Sequence, residues 1–440
     1  MKILVVSWYF PPVNTIGAVR VGKFVRFLIE QGHDVGVVAG AEWGHPETLP
    51  LGVPLDRVAY VRSRDVNALP NAIIRPVKKL LRRGGAAGGA PSSSSTDSAP
   101  TGSSGASRLR RLSDLYVNLT NLPDSHIGWF AGALKGGRSL CRSWHPDLIF
   151  ASGPPFTALL VAQRLSARLR VPWVAELRDR WADDPYDEIV PWRARLNQWL
   201  ERRVLRSAVA LVTVTEPWAE FYRAKYQKPL ATIYNGYDPL DFPDATATET
   251  PFANPNLVIG YTGGIYPGRR DPTPLFDALH LLGSRAHRIR VVFCGTDPAH
   301  VLPLAERAGV RSLVEVRPSV PYKESLEFQR NADVLLLMQW NDPREQGNCP
   351  GKFFEYMASL RPVLVLGLED GVPATIVRQR SAGFCSNDPQ RIAEQLTVWL
   401  RDKEKFGHTP MLPASTRAGL SRTIQYERLE KFLGDLVKRP

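Results

Sequence analysis

KILVVS at residues 2–7 reads as a strand, VRVGKFVRFLIEQGH at 19–33 has helical spacing and closes at Gly32, and DVGVVAG at 34–40 reads as a second strand. Strand, helix and strand in that order require a crossover, so the two strands lie parallel. Parallel strands are buried on both faces, which explains why these runs are continuously apolar rather than alternating. The pattern recurs with DLIFAS, PFTALLVAQRLSARL, PWVAEL, PWRARLNQWLERRVLRSA and VALVTVT, between residues 147 and 215. A second series begins at LVIGYT, residues 257–262, and continues through RVVFCG, SLVEVR, DVLLLM and PVLVLG. The chain is therefore expected to be α/β, with a doubly wound parallel sheet in each half.

Composition shifts divide it further. Residues 84–107, GGAAGGAPSSSSTDSAPTGSSGAS, bury too little to offset ordering entropy and predict a disordered insertion. Residues 235–256 are rich in Pro, Asn, Asp and Thr and predict a linker. The expected organisation is a first domain at 1–234, the linker at 235–256, a second domain at 257–415 and a C-terminal helix at 416–440 packing back on the first domain. Two such domains predict a cleft, with ligands at the carboxyl ends of strands.

The net charge of +13 and pI near 9.7 predict attraction to polyanions. Residues 62–111 alone hold ten basic residues against two acids. The apolar and basic flanks of the insertion, within 75–111, predict peripheral docking on an anionic membrane surface. No apolar run reaches the roughly 20 residues of a membrane span, and the short apolar start suits a strand better than a signal peptide. Cys141, Cys294, Cys349 and Cys385 are far apart, without metal-type spacing, which predicts a reduced, cytoplasmic chain. The basic residues lack interleaved aromatics, so nucleic acid is not expected as a partner.

Several motifs fall at strand ends. PGKFFEYMASL at 350–360 starts a helix whose free amides and positive dipole end favour an anion such as a diphosphate. Gly351 allows close approach, Lys352 adds a charge, and Glu355 one turn on can accept two hydrogen bonds from a ribose diol. GYTGGIYPGRRDP at 260–272 offers Gly263 and Gly264 for backbone approach and Arg269 and Arg270 for a departing diphosphate. Gly17, in YFPPVNTIGAVR, would bring amides to the facing side of the cleft. Arg178 and Asp179, in ELRDRWADD, and His126, in NLPDSHIGWF, are candidates for contact with the acceptor or sugar.

These residues resemble family 4 of the retaining glycosyltransferases, which have the GT-B fold of two Rossmann-like domains facing across a cleft. The motifs that carry the resemblance are FPPVNTIGAVRVGKFVRFLIEQGHDVGVV, IYNGYDPLDF and ADVLLLM…GKFFEYMASLRPVLVL. SGPPF and ELRDRW lean toward the subgroup that builds cell-surface polysaccharides. Glu355 matches the second Glu of the family's Glu, seven residues, Glu pattern, whereas the first falls on Gly347, with Glu345 two residues earlier. Arg269 and Arg270 approximate the family's phosphate-binding Arg and Lys. The resemblance implies a metal-independent hexosyltransferase without a cofactor, moving a sugar from a nucleotide sugar to a lipid-linked or glycan acceptor with retention. It would act at the cytoplasmic face of the membrane. A nucleotide-sugar 2-epimerase of the same fold and a non-catalytic polyanion-binding protein are the alternatives.

Overall fold

The structure is a computed structural model that describes residues 1–41, 44–64, 66, 115–184, 186, 189–242 and 255–438. The expected insertion at 84–107 and the basic stretch at 75–111 lie outside the described residues. The chain divides into two compact units, Met1–Leu211 and Val212–Lys438.

In the first half, β1 (Lys2–Ser7) leads through α1 (Ile16–Glu30) to β2 (Asp34–Gly40). The Thr15 hydroxyl caps α1 by accepting from the Ala18 amide. Then come β3 (Val58–Val61), α2 (Phe130–Leu140), β4 (Leu148–Gly153), α3 (Thr157–Leu169), β5 (Trp173–Leu177), α4 (Pro191–Leu205) and β6 (Ala210–Thr213). After α5 (Glu216–Tyr226) and β7 (Leu230–Thr232), the seven-stranded sheet has the order β3-β2-β1-β4-β5-β6-β7. β1 pairs in parallel with both β2 and β4, so it lies at the switch point of a doubly wound sheet.

The second half repeats the plan. Its elements are β8 (Leu257–Thr262), α6 (Thr273–Leu282), β9 (Ile289–Cys294), α7 (Leu302–Arg307), β10 (Val314–Arg317), α8 (Tyr322–Asn331) and β11 (Val334–Met338). They continue with α9 (Gly351–Ala358), β12 (Val363–Leu366), α10 (Val372–Gln379), β13 (Gly383–Cys385), α11 (Pro389–Phe406) and α12 (Arg422–Val437). The six-stranded sheet has the order β10-β9-β8-β11-β12-β13. One core packs α6 and α11 against it, and the other holds Phe353, Phe354, Tyr356 and Met357 of α9. Each fully buried side chain of that size contributes about 1.5–3 kcal/mol. That anchoring fixes the start of α9 beside the carboxyl end of β8.

Part of the expected linker is packed. Tyr237 and Phe242 lie in the α9 core, and the Tyr237 amide donates to the Leu420 carbonyl. β3, β13 and α2 were not apparent as elements in the sequence. β13 has three residues, too few to show a period. α2 carries three glycines, and Gly132 and Gly136 are where the helix packs on Val61 of β3. All four cysteines are buried free thiols. Among the described residues no helix is long and apolar enough to cross a membrane.

Candidate active site

β8 ends at Thr262, and the chain turns at Gly263 with φ +107°, a conformation that L side chains rarely adopt. A Cβ at Gly263 would stand 3.1 Å from Lys352 Nζ. That amine donates to the Thr262 carbonyl at 2.7 Å and sits 4.1 Å over the Tyr261 ring. Burial, with help from the nearby Arg270 charge, pulls its pKa down to about 7. Arg270 donates to the Gly264 carbonyl at 2.8 Å, and its guanidinium lies 4.5 Å over the Tyr266 ring. No atom lies within 4 Å of where a Cβ would stand on Gly264 or Gly351, so the backbone there is open. Two cationic groups and three glycines therefore meet where β8 ends and α9 begins.

Glu355 lies one turn further along α9. Its carboxylate accepts from Gln329 Nε2 at 3.2 Å and from the Tyr322 hydroxyl at 3.3 Å. Burial raises its pKa, and the Gln329, Tyr322 and Arg422 interactions oppose that rise. Gln329 also reaches Thr262 Oγ1 at 3.4 Å, while the Tyr356 hydroxyl accepts from the Thr262 amide at 3.0 Å. Gln329 thus ties the carboxylate back to β8, and Tyr322, seven residues earlier on α8, also reaches Asp241 Oδ2 at 3.0 Å. The sequence reading missed both, along with Tyr261. The available signal was Gln329 itself, a polar residue at a core spacing from Leu326.

Arg269 turns elsewhere. Its guanidinium lies 5.2 Å from the Trp340 ring, which also carries Arg344 at 4.2 Å. The loop after Trp340 holds Glu345, 6% exposed, whose Oε1 accepts from Asn348 at 2.7 Å and whose Oε2 has no hydrogen-bond partner. Burial pushes the Glu345 carboxyl up to about 7, against the pull of Asn348 and the Trp340 amide. Gln339 Oε1, likewise buried and without a partner, belongs to the same loop, because Gln339 Nε2 donates to the Asn348 carbonyl at 3.0 Å. At Gly347 a Cβ would fall inside the Trp218 indole, and the Gly347 carbonyl accepts from Thr215 at 2.7 Å. A glutamate at 347 has no room.

In the first unit, the space beside Gly17 is filled by Arg178, whose Nη1 would stand 2.5 Å from a Cβ there. Arg178 also donates to the Pro154 carbonyl. Next to it, Arg20 and Glu176 form a buried ion pair at 2.8 Å, and Ser152 donates to the other Glu176 oxygen at 2.5 Å. Burial opposes the Glu176 charge, but Arg20 and Ser152 prevail and hold its carboxyl below the usual range. Asp179 is exposed at the end of β5. His126 packs edge-on against Trp8 at 4.8 Å, and its amide donates to Asp124. Asp124 accepts in turn from the Thr157 amide and hydroxyl at the start of α3.

A model of the glycosyl transferase 4-like domain matches residues 17–236, and a model of glycosyl transferases group 1 matches residues 256–402. No curated protein matches the chain in sequence. Among solved structures it is similar to HepE of Anabaena in complex with UDP, at 14% identity and TM-score 0.56, covering 99% of this chain and 100% of that one. It is similar to sucrose-phosphate synthase of Thermosynechococcus elongatus, at 14% identity and TM-score 0.60, covering 99% of each chain. It is also similar to WaaG, a glycosyltransferase involved in lipopolysaccharide biosynthesis, at 14% identity and TM-score 0.53, covering all of both chains. At that identity the likeness is one of fold, and the fold is GT-B, with two Rossmann-like sheets. One family model alone spans half of the 440 residues, and the chain belongs to the glycosyl transferase 4-like family of glycosyltransferases.

Proposed function

We propose that the chain is a retaining, metal-independent hexosyltransferase that moves a sugar from a nucleotide diphosphate sugar to a lipid-linked or glycan acceptor in cell-surface polysaccharide synthesis. It works without a cofactor, in the cytoplasm, held peripherally at the inner membrane face by the basic residues within 75–111. The observation that carries this reading is the convergence of Lys352, Arg270 and the Gly263 turn at the N-terminus of α9, with Glu355 one turn away. Cations and open amides suit a diphosphate, and a half-buried carboxylate suits a ribose diol.

In this reading Lys352, Arg270 and the amides of Gly264 and Gly351 hold the diphosphate, with Arg269 as a second guanidinium nearby. As the bond from the sugar C1 to the phosphate oxygen breaks, they stabilise the charge left on the diphosphate. The acceptor oxygen bonds to C1 on the same face, and its proton passes to a departing phosphate oxygen. Glu355 holds the ribose, and Glu345 with Gln339 takes the sugar hydroxyls. Arg178, Asp179 and His126 belong to the side that meets the acceptor or sugar, and Gly17, read as a donor-binding glycine, makes room for Arg178.

A thermal-shift panel of nucleotides and nucleotide sugars tests the reading, since a ligand that binds only the folded state stabilises it by mass action. HepE was solved with UDP-glucose, so uridine sugars come first. At least one nucleotide sugar should raise Tm, and a flat panel would refute the proposal. Glu355→Ala should weaken the donor that scores in this panel roughly tenfold to a hundredfold, the scale of hydrogen bonds to a charged group. Wild-type affinity in that variant would remove Glu355 from the site.

The lowered Lys352 pKa gives a pH dependence with a definite sign. A bound diphosphate favours the ammonium, so above pH 7 the free protein must take up a proton to bind. The donor Kd should therefore rise between pH 7 and 9, by at most about tenfold per unit. Isothermal titration in buffers of different ionisation enthalpy reads the proton uptake directly. A pH-independent Kd with no proton uptake would contradict it.

A further inference from the structure

We propose that α4 is a second membrane-docking face, beside the basic residues within 75–111, and that it recognises an anionic lipid surface. The inward side of α4 is closed by Asn197, Glu201, Val204 and Leu205. Its outward side carries Trp192, Arg195, Trp199 and Arg202, with Arg206 at its C-cap, all exposed. These residues are spaced by three and four, so they form one stripe along the helix.

The tryptophans are the unusual members. Trp192 is 39% and Trp199 54% exposed, whereas Trp8, Trp129, Trp144, Trp173, Trp181, Trp218 and Trp399 are all buried. The Arg203 guanidinium lies 5.6 Å from the Trp199 ring, which gives this face an aromatic and cationic character together. The acid of α4, Glu201, is buried and accepts from the Ala182 amide, so it does not neutralise the stripe.

A second exposed apolar pair adjoins it. Arg193 turns inward from the stripe and donates to Asn118 Oδ1 at 2.9 Å and to the Asn121 carbonyl at 2.7 Å. That ties α4 to the helical segment at 115–120, where Leu115 is 47% and Leu119 55% exposed, one turn apart. Tryptophan, leucine and arginine on one face match the layers of a bilayer interface. Rings sit at headgroup depth, aliphatic groups reach the acyl boundary, and guanidinium groups pair with phosphates. An exposed run of arginine selects an anionic surface over a neutral one.

This surface deepens the peripheral-membrane reading given above and rests on it, but its test needs neither donor nor acceptor. The full chain is sedimented with vesicles of phosphatidylcholine alone or mixed with phosphatidylglycerol. Binding is expected only to the anionic vesicles. The triple variant Arg195→Ala, Arg202→Ala, Arg206→Ala should bind about a hundredfold more weakly, at roughly fivefold per arginine near an anionic surface. Brominated lipid should quench wild-type tryptophan fluorescence, and the Trp192→Ala, Trp199→Ala variant should lose that quenching. An unchanged ligand-free Tm in these variants shows that the fold is intact. Equal binding to neutral vesicles would overturn the anionic assignment. Full anionic binding by both α4 variants, with loss only on neutralising Arg108, Arg110 and Arg111, would overturn α4 as the docking face.

Discussion

Lys352→Met should cut turnover by roughly a hundredfold to a thousandfold while leaving the protein folded. The factor is that for removing one preorganised group that stabilises transition-state charge. Methionine keeps an apolar stem of similar length and deletes the ammonium that Lys352 places over the Tyr261 ring. The loss should fall mainly in kcat, because the charge on the departing diphosphate is greatest as the sugar bond breaks. Arginine should not substitute, since its planar fork cannot occupy the position of a point charge bonded to the Thr262 carbonyl. Stability should move in the opposite direction. The folded Lys352 has a pKa of about 7 and the unfolded chain its ordinary 10.5, so between those values the unfolded state binds the extra proton. Wild-type stability therefore rises with pH through that window and carries the full burial penalty below it. At pH 7 the methionine variant should melt no lower than wild type. Release of the nucleoside diphosphate, assayed with the donor found by thermal shift, gives the rate. Turnover within threefold of wild type would remove Lys352 from the mechanism, and a lowered Tm would mean that its role is structural.

The parts of this site that were legible in the sequence are those fixed by backbone rules. LVIGYT followed by two glycines marks a buried parallel strand and a tight turn, and β8 with Gly263 at positive φ is the result. Pro350-Gly351 before an apolar helical pattern marks a helix start, and α9 begins at Gly351. Doubly wound order then places both at the same edge of the sheet. What stayed hidden depends on side chains distant in sequence. Tyr322 and Gln329 reach Glu355 from α8, and spacing along a chain does not show which residue faces which across two elements. Gly17 looked like a place for a ligand to approach. In the fold its missing side chain makes room for Arg178, 161 positions away.

The substitution Gly347→Glu, which would restore the family's first glutamate, is expected to destabilise the protein rather than improve it. A Cβ at 347 falls within the Trp218 indole, and Trp218 is 8% exposed in a packed setting. The indole must move out, or the loop that carries Glu345 and Asn348 must shift. Overpacking of this kind costs about 3 kcal/mol or more, which lowers Tm by roughly 6–12 °C for a unit of this size. If Glu345 has taken over the sugar hydroxyls, Glu345→Gln should separate the two halves of the donor. Affinity for the donor's nucleoside diphosphate, which the proposed reading assigns to Lys352, Arg270 and Glu355, should stay within about twofold, while turnover falls roughly tenfold or more through the loss of one charged hydrogen bond. Trp218→Ala with Gly347→Glu creates the missing space and should recover part of the lost Tm. Calorimetry and steady-state kinetics on the three variants decide the matter. A Gly347→Glu protein as stable as wild type and faster in turnover would show that Trp218 is no barrier, and wild-type kinetics in Glu345→Gln would show that the buried carboxyl does not touch the sugar.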